Sequence, residues 1–232
     1  INERHEAWGS LARKLAHEIK NPLTPIQLTI DRLKNKYSYQ LHESDTENFK
    51  DNLKIINNQI KQIEKLVNEF SDFARMPKPI FRENNLVDLI NENIMLLKQL
   101  DNSIDITFNK SSDKILIESD KEQISRVFLN LIKNSIESIN QKAQNNSNFN
   151  KKITIELNQE DSHIKATIED NGVGFSELKN NIKDILNPYF TTKKNGTGLG
   201  LSIVNKIVND HNGKIEFIPI KDGAKINIIF LR

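Results

Sequence analysis

The sequence predicts an α + α/β protein, a helical hairpin followed by an α/β layer domain. Three observations predict it. Apolar residues from Trp8 to Leu33 recur at steps of three and four, the mark of one helical face. A second run, Phe49, Leu53, Ile56, Ile60, Ile63, Val67 and Phe70, alternates gaps of four and three without a break, which is a heptad seam. Beyond Pro79 the period changes, and short alternating segments interleave with helical patterns.

The first helix carries the stripe Trp8, Leu11, Leu15, Ile19, Leu23 or Ile26, Ile30 and Leu33. His17 falls off that stripe, so its ring is expected in water. Pro22 and Pro25 lie inside the same pattern. A proline lacks the N–H that the carbonyl four residues back would use, so the helix is expected to loosen after His17. Taken alone, His17 reads as a solvated histidine on a kinked helix. A polar stretch, Lys36 to Glu47, separates this helix from the seam. One hairpin cannot bury two apolar stripes well, so two chains are expected to pair into a four-helix bundle. The alternative is packing against the second half of the same chain. Met76-Pro77-Lys78-Pro79 makes a short, stiff exit. The expected division is a hairpin over 1–76, a linker over 77–85 and a second domain over 86–232.

In the second domain, Leu86 to Leu100 reads as a helix. Ile104 to Phe108 and Lys114 to Glu118 read as strands. Ser119 with Glu122 reads as a capping box for a helix running to about Asn140. An Asn-rich loop covers 141–151. Lys152 to Leu157 and His163 to Glu169 form a hairpin. Leu199 to His211 is helical and ends at Gly213. Lys214 to Ile218 and Lys225 to Phe230 form the last hairpin. A mostly antiparallel sheet with helices on one face fits this order.

Composition narrows the function classes. The 232 residues carry 33 basic and 31 acidic side chains, a net charge of +2. That near-balance gives no support to a basic nucleic-acid face. No apolar run reaches the length of a membrane span, so no direct membrane contact is expected. Zero cysteines exclude disulfides and thiolate metal sites, and fit a reducing compartment. The chain opens at Ile1 with no signal-peptide pattern, and reads as a piece of a longer protein.

Five of the eight glycines fall in two short stretches. Asp170-Asn-Gly-Val-Gly174 follows a strand, and Gly196-Thr-Gly-Leu-Gly200 opens a helix. Closely spaced glycines let backbone approach a ligand, and a helix N-terminus offers free N–H groups to anions. The second loop is therefore a phosphate-cradle candidate or a plain loop. It lacks the dinucleotide and Walker spacings. Asn130 and Asn134 share one helix face, where two amide oxygens can help hold a divalent cation. The plain alternative is a polar face in an Asn-rich chain. Lys133 reaches a phosphate or is solvated. Pro188 to Lys193 sits in a weakly periodic stretch, 175–195, that reads as a lid ordered on binding.

Together these stretches resemble the histidine kinases of two-component systems, in the family's order and through nearly the whole chain. His17-Glu-Ile-Lys-Asn-Pro-Leu-Thr looks like the phospho-acceptor box. Asn130 to Asn134 looks like the N box, and Asp170 to Gly174 like the first glycine box. Pro188 to Lys193 looks like the phenylalanine box, and Gly196 to Gly200 like the second glycine box. The extended box around His17 is most similar to NtrY-type nitrogen-regulatory sensor kinases. The resemblance implies a dimerising phosphotransfer hairpin and an α/β sandwich ATP-binding domain of the histidine kinase, gyrase and chaperone type.

It also implies roles. His17 would accept the γ-phosphoryl group of ATP, and Glu18 would orient or deprotonate its ring. Asn21 would help water attack a phosphorylated partner, the receiver domain of a response regulator. Asp170 would accept from the adenine amino group, with Gly172 and Gly174 against the base. Gly196, Thr197, Gly198, Leu199 and Gly200 would line the phosphates, with Lys193 a weaker phosphate ligand. Asn134 and Asn130 would hold Mg²⁺. The implied state is a homodimer, a cytoplasmic piece of a parent anchored in the bacterial inner membrane. His5, His42, His163 and His211 lack any such motif and read as surface or packing residues.

Two other readings compete. The ATP-hydrolysing clamps of the same nucleotide fold place a carboxylate near the start of the N-box helix to activate water. Asn130 stands there, and an amide cannot act as a base. A non-catalytic dimer scaffold would not need the His17–Glu18 pair.

Overall fold

The computed structural model describes residues 2–38, 40–74, 76–144, 149–175, 185–187, 190–191 and 196–231; for 2–11, 43, 44 and 100 it describes the backbone only. Contacts divide the chain into two compact units. The first is Ile1–Pro77 with Thr192–Leu199, and the second is Lys78–Thr191 with Gly200–Arg232.

The first unit is a hairpin of two long helices, α1 (Asn2–Tyr37) and α2 (Glu43–Ala74). Contrary to the expected loosening, α1 runs unbroken through Pro22 and Pro25. One turn beyond Pro25, Thr29 Oγ1 donates to the Pro25 carbonyl at 2.8 Å.

The seam is shared out in a way the sequence pattern did not resolve. Leu53, Ile60 and Val67 of α2 are buried, as are Leu23 and Ile30 of α1. Leu23, Ile30, Leu53 and Ile60 form one cluster, with Phe49 against it. Ala12 and Ala16 complete the buried line on α1, and small side chains there allow close helix approach. The interleaved positions face outward. Leu15, Ile19, Ile26 and Leu33 on α1 and Ile56 and Ile63 on α2 are 38–45% exposed. Each helix thus zips the hairpin with one half of its heptad and leaves the other half open. Gln27 Nε2 adds a bond to Asn57 Oδ1 across the hairpin, at 3.1 Å.

The second unit is a five-stranded sheet with helices on one face. Its strands are β2 (Asp105–Lys110), β4 (Lys152–Gln159), β5 (His163–Asp170), β6 (Gly213–Ile218) and β7 (Ala224–Leu231), in the order β2-β4-β5-β7-β6. Among the described residues, only the β2–β4 pair is parallel. A separate ribbon pairs β1 (Arg82–Asn85) with β3 (Leu116–Ser119). Residues 82–85, expected in the linker, are therefore a paired strand.

Period-two alternation sorts the faces. Leu157, Ala166, Ile228 and Ile215 lie in one cross-strand row, and all are buried. The adjacent row, Glu156, Thr167, Asn227 and Glu216, is polar. On the apolar face lie α3 (Leu86–Leu100), α4 (Lys121–Ala143) and α5 (Gly200–Asp210). The stripes Ile124, Val127, Phe128, Leu131, Ile132 and Ile139 on α4 and Ile203, Val204, Ile207 and Val208 on α5 are essentially inaccessible.

The cap of α4 differs from the expected one. Asp120, not Ser119, is the N-cap, and its Oδ1 accepts from Gln123 N–H at 3.1 Å. Ser119 is the last residue of β3, with its hydroxyl accepting from Asn84. A carboxylate answers the helix dipole better than a hydroxyl does.

Candidate functional site

His17, Glu18 and Asn21 all lie on α1 and are exposed. Helical spacing puts His17 and Asn21 one turn apart on one face. Because α1 is continuous here, no local unwinding turns Glu18 toward the His17 ring.

The first glycine loop is built by strand parity. Ile164, Ala166 and Ile168 face the helices, so Asp170, two further on, faces the same way at the strand's end. Asp170 is 5% exposed. Gly172 N–H donates to its Oδ1 at 2.9 Å, and the Ser135 hydroxyl and the Ala224 N–H donate to the carboxylate as well. Burial outweighs these bonds and pushes the Asp170 carboxyl above its ordinary range.

The loop beyond it closes on α4. Val173 N–H donates to Ser138 Oγ at 3.0 Å, and Lys142 Nζ donates to the Asn171 carbonyl at 2.9 Å. A side chain at Gly172 would strike Ser138. Gly174, at φ +69°, lies against the backbone of Gly223, which lies against Asp170 at φ +102°. Both angles are left-handed, where glycine carries no Cβ penalty.

Asn130, Lys133 and Asn134 follow one another along α4. Asn130 and Asn134 are half-buried and Lys133 is exposed. Asn130 Nδ2 donates to the Arg126 carbonyl at 2.9 Å, and Oδ1 faces Gly200, 3.4 Å from where a Cβ would stand. The structure thus brings Asn130 together with the start of α5.

Of the second glycine loop, Gly196, Thr197, Gly198 and Leu199 group with the first compact unit, while Gly200 opens α5 in the second. Gly198 adopts φ +70°, and Leu199 is fully buried. Thr197 Oγ1 donates to the Glu69 carboxylate and accepts from Leu199 N–H at 3.4 Å. Lys193 and most of the expected lid, 175–195, lie outside the described residues.

Sequence reading passed over Ser135, Ser138, Lys142, Gly223 and Ala224. Gly223 had a signal, since Asp222-Gly223 is a turn dipeptide between the last two strands. The two serines had none, because only the fold brings α4 under the loop. Among the described residues no group of three or more His, Cys, Asp or Glu could hold a metal ion. Among them, too, no helix is long and apolar enough to cross a membrane.

Comparison with known proteins agrees with this geometry. Residues 119–232 match the histidine kinase-, DNA gyrase B- and HSP90-like ATPase family, and residues 7–79 match the His Kinase A (phospho-acceptor) domain. The chain belongs to the sensor histidine kinases and carries their phospho-acceptor and ATPase domains. It is 38% identical over 232 residues to an NtrY-like sensor histidine kinase of Rickettsia prowazekii, covering 99% of this chain and 37% of that protein. It thus spans little more than a third of that relative's length. The catalytic domain of histidine kinase ThkA is 30% identical with a TM-score of 0.57, covering 66% of this chain and 95% of that one. A crystal structure of ThkA with response regulator protein TrrA matches at 29% identity and a TM-score of 0.65, covering 99% of this chain and 63% of that one.

Proposed function

We propose that this chain transfers the γ-phosphoryl group of ATP to His17 and then to an aspartate of a response regulator receiver domain. The observation that carries this is Asp170. A buried carboxylate at a strand end, beside three glycines too crowded for side chains, is built to read a flat ligand edge. Its acceptor oxygens suit the adenine amino group, with Gly172 and Gly174 against the base. The N–H groups at the start of α5 suit the phosphates, with Gly196, Thr197, Gly198 and Leu199 leading into them. Lys133 and Lys193 are further cations for them.

Two amides are too few ligands for a cation alone. They fit Mg²⁺, which takes its remaining oxygens from phosphates and water. Asn130 Oδ1 and the Asn134 amide would hold it, and the ion would neutralise charge on the phosphates. In the transfer the lone pair of the His17 ring forms a nitrogen–phosphorus bond. The bond from the γ-phosphorus to the bridging oxygen breaks, and ADP leaves with that electron pair. Glu18, adjacent in sequence, takes the ring proton through a folded-back rotamer. Asn21 orients water for the reverse duty, hydrolysis of the partner's phosphoaspartate.

The outward heptad half of Leu15, Ile19, Ile26, Leu33, Ile56 and Ile63 supports a homodimer, in which a second copy covers it to form a four-helix bundle. The likeness to ThkA, crystallised in complex with response regulator protein TrrA, supports a receiver-domain partner. A cytoplasmic setting, with the parent protein anchored in the bacterial inner membrane, belongs to the same reading and rests on the resemblance of the box around His17 to NtrY-type sensor kinases.

The test is incubation with γ-labelled ATP. Acid-labile label on the protein, lost in His17→Ala with ATP binding retained, is the expected result. Release of free phosphate alone would favour the hydrolytic clamp, and equal stable label on His17→Ala would overturn the assignment of the acceptor.

A further inference from the structure

The exit from the first unit is anchored by a group the reaction does not use. Asp120 caps α4 with Oδ1 and accepts from the N–H of Ile80 with Oδ2, at 2.9 Å. The Asp120 N–H in turn donates to His211 Nε2 at 3.0 Å. His211 is 5% exposed, and its Nδ1 lies 2.8 Å from the Ile207 carbonyl. One tautomer satisfies both contacts, with the proton on Nδ1 and the lone pair on Nε2. The Phe81 ring packs on the imidazole, with centroids 5.1 Å apart. Burial pushes the Asp120 carboxyl up. The N–H groups of Ile80, Gln123 and Glu122 together hold it below its ordinary range.

Three pieces of chain therefore meet at one point: the linker at Ile80 and Phe81, the N-terminus of α4, and the C-terminal end of α5. The same two helices, at Asn130 and Gly200, flank the proposed nucleotide site. Ile80 itself is 67% exposed, so burial of its side chain does not fix the linker there. The bond to Asp120 and the Phe81–His211 contact do.

We propose that Asp120 and His211 form a linker clamp, with Asp120 the positioning residue that sets how far the nucleotide-binding unit can reach toward His17. The inference rests on the transfer reaction proposed above. With the clamp made, five residues, 75–79, separate the end of α2 at Ala74 from the anchor at Ile80. A chain that short spans at most about 20 Å. With the clamp broken, the free segment runs on toward β1 at Arg82, and Pro77 and Pro79 no longer aim a fixed end. Two more free residues alone lower the effective concentration of bound ATP at the acceptor less than about twofold, and the lost aim of the tether carries the larger part of the effect. Breaking the clamp leaves ATP binding alone.

Asp120→Asn separates these effects. Asparagine caps a helix about as well as aspartate. Its amide nitrogen, however, would face the Ile80 N–H, donor against donor. We expect unchanged ATP affinity, a melting temperature within about 2 °C of wild type, and an autophosphorylation rate at saturating ATP down about tenfold. Phe81→Ala should lower the same rate, and the double variant should be no slower than the slower single one. Hydrogen exchange at the Ile80 amide, which does not depend on any kinase activity, should speed up about tenfold in Asp120→Asn. Unchanged exchange would overturn the clamp. So would a rate within twofold of wild type in both single variants, multiplying losses in the double, or a matching loss of ATP affinity. Failure of wild type to label His17 would strike the transfer reaction and the reach assigned to the clamp, while the exchange result would still decide whether the linker is anchored.

Discussion

Gly223 lies against the carbonyl of Asp170 so closely that a Cβ on it would overlap that oxygen, and its φ of +102° is a conformation that L side chains rarely adopt. The turn between β6 and β7 thus forms part of the support for the first glycine loop. Gly223→Ala is expected to lose about 1–3 kcal/mol of stability through overpacking. ATP affinity should fall too, because Asp170 and Gly174 move with the turn. Thermal melting and calorimetry check both, and an unchanged melting temperature would contradict the interlock.

Asp170 carries a cost that the proposed nucleotide would make useful. Its carboxyl is pushed up, chiefly by burial. The contribution of such a group to folding is fully present below the unfolded value of 3.8 and is lost as pH rises through the folded value. Above the folded value the ionised group therefore weakens the ligand-free fold. Asp170→Asn should flatten that part of the stability curve against pH. It should also weaken ATP binding by ten- to hundredfold, from losing a charge-assisted bond of roughly 1.5–3 kcal/mol. ATP affinity equal to wild type would sink the adenine role.

Asp101 behaves in the opposite sense. The Ser103 hydroxyl, the Asn140 amide and the Ser103 N–H, in that order, bring it down to about 2, with Lys151 adding a smaller pull. Stability from this group is present above the ordinary 3.8 and is lost as pH falls from there toward about 2. Asp101→Asn should melt below wild type at pH 7 and converge with it near pH 2. Parallel melting curves across that window would refute the assignment.

The divided seam gives two kinds of substitution on one helix. Ile60 is 4% exposed inside the hairpin, so Ile60→Asp should disrupt the hairpin itself. Ile56 and Ile63 are 45% and 40% exposed, so Ile56→Asp or Ile63→Asp should dissociate the proposed dimer while the hairpin stays helical. Sedimentation and circular dichroism separate the two. A monomeric wild type would contradict the pairing.

Asn21 and Glu18 should divide the labour at His17. Asn21→Ala is expected to slow loss of label from the phosphorylated partner and spare autophosphorylation. Glu18→Ala is expected to slow autophosphorylation first. Timing the two steps separately decides it, and equal losses in both steps for Asn21→Ala would end the distinction.

Much of this was legible in the sequence because period and punctuation are local. The two helical stripes, the alternating strands and the clustered glycines each follow from residues close in the chain. What was not legible depends on distant partners. Both halves of the heptad look alike in sequence, and only packing decides that Leu53 and Ile60 turn in while Ile56 and Ile63 turn out. Arg82-Glu-Asn-Asn85 has no strand propensity, and becomes β1 because β3 is there to pair with it. Ser119 and Asp120 both resemble caps, and β3 claims the first. Ser135 and Ser138 join the site only because α4 runs beneath the loop.

The lone parallel pair in the sheet also bears on the order of events in folding. β4 with β5, and β6 with β7, are joined by short turns and close locally. β2 reaches β4 only after β3 and α4 have crossed over between them, which is an expensive loop to close. The edge strand is therefore expected to dock late, after the rate-limiting step. Trimming Ile106, buried in β2, should leave the refolding rate nearly untouched and hasten unfolding, whereas trimming Ile155 in β4 should slow refolding.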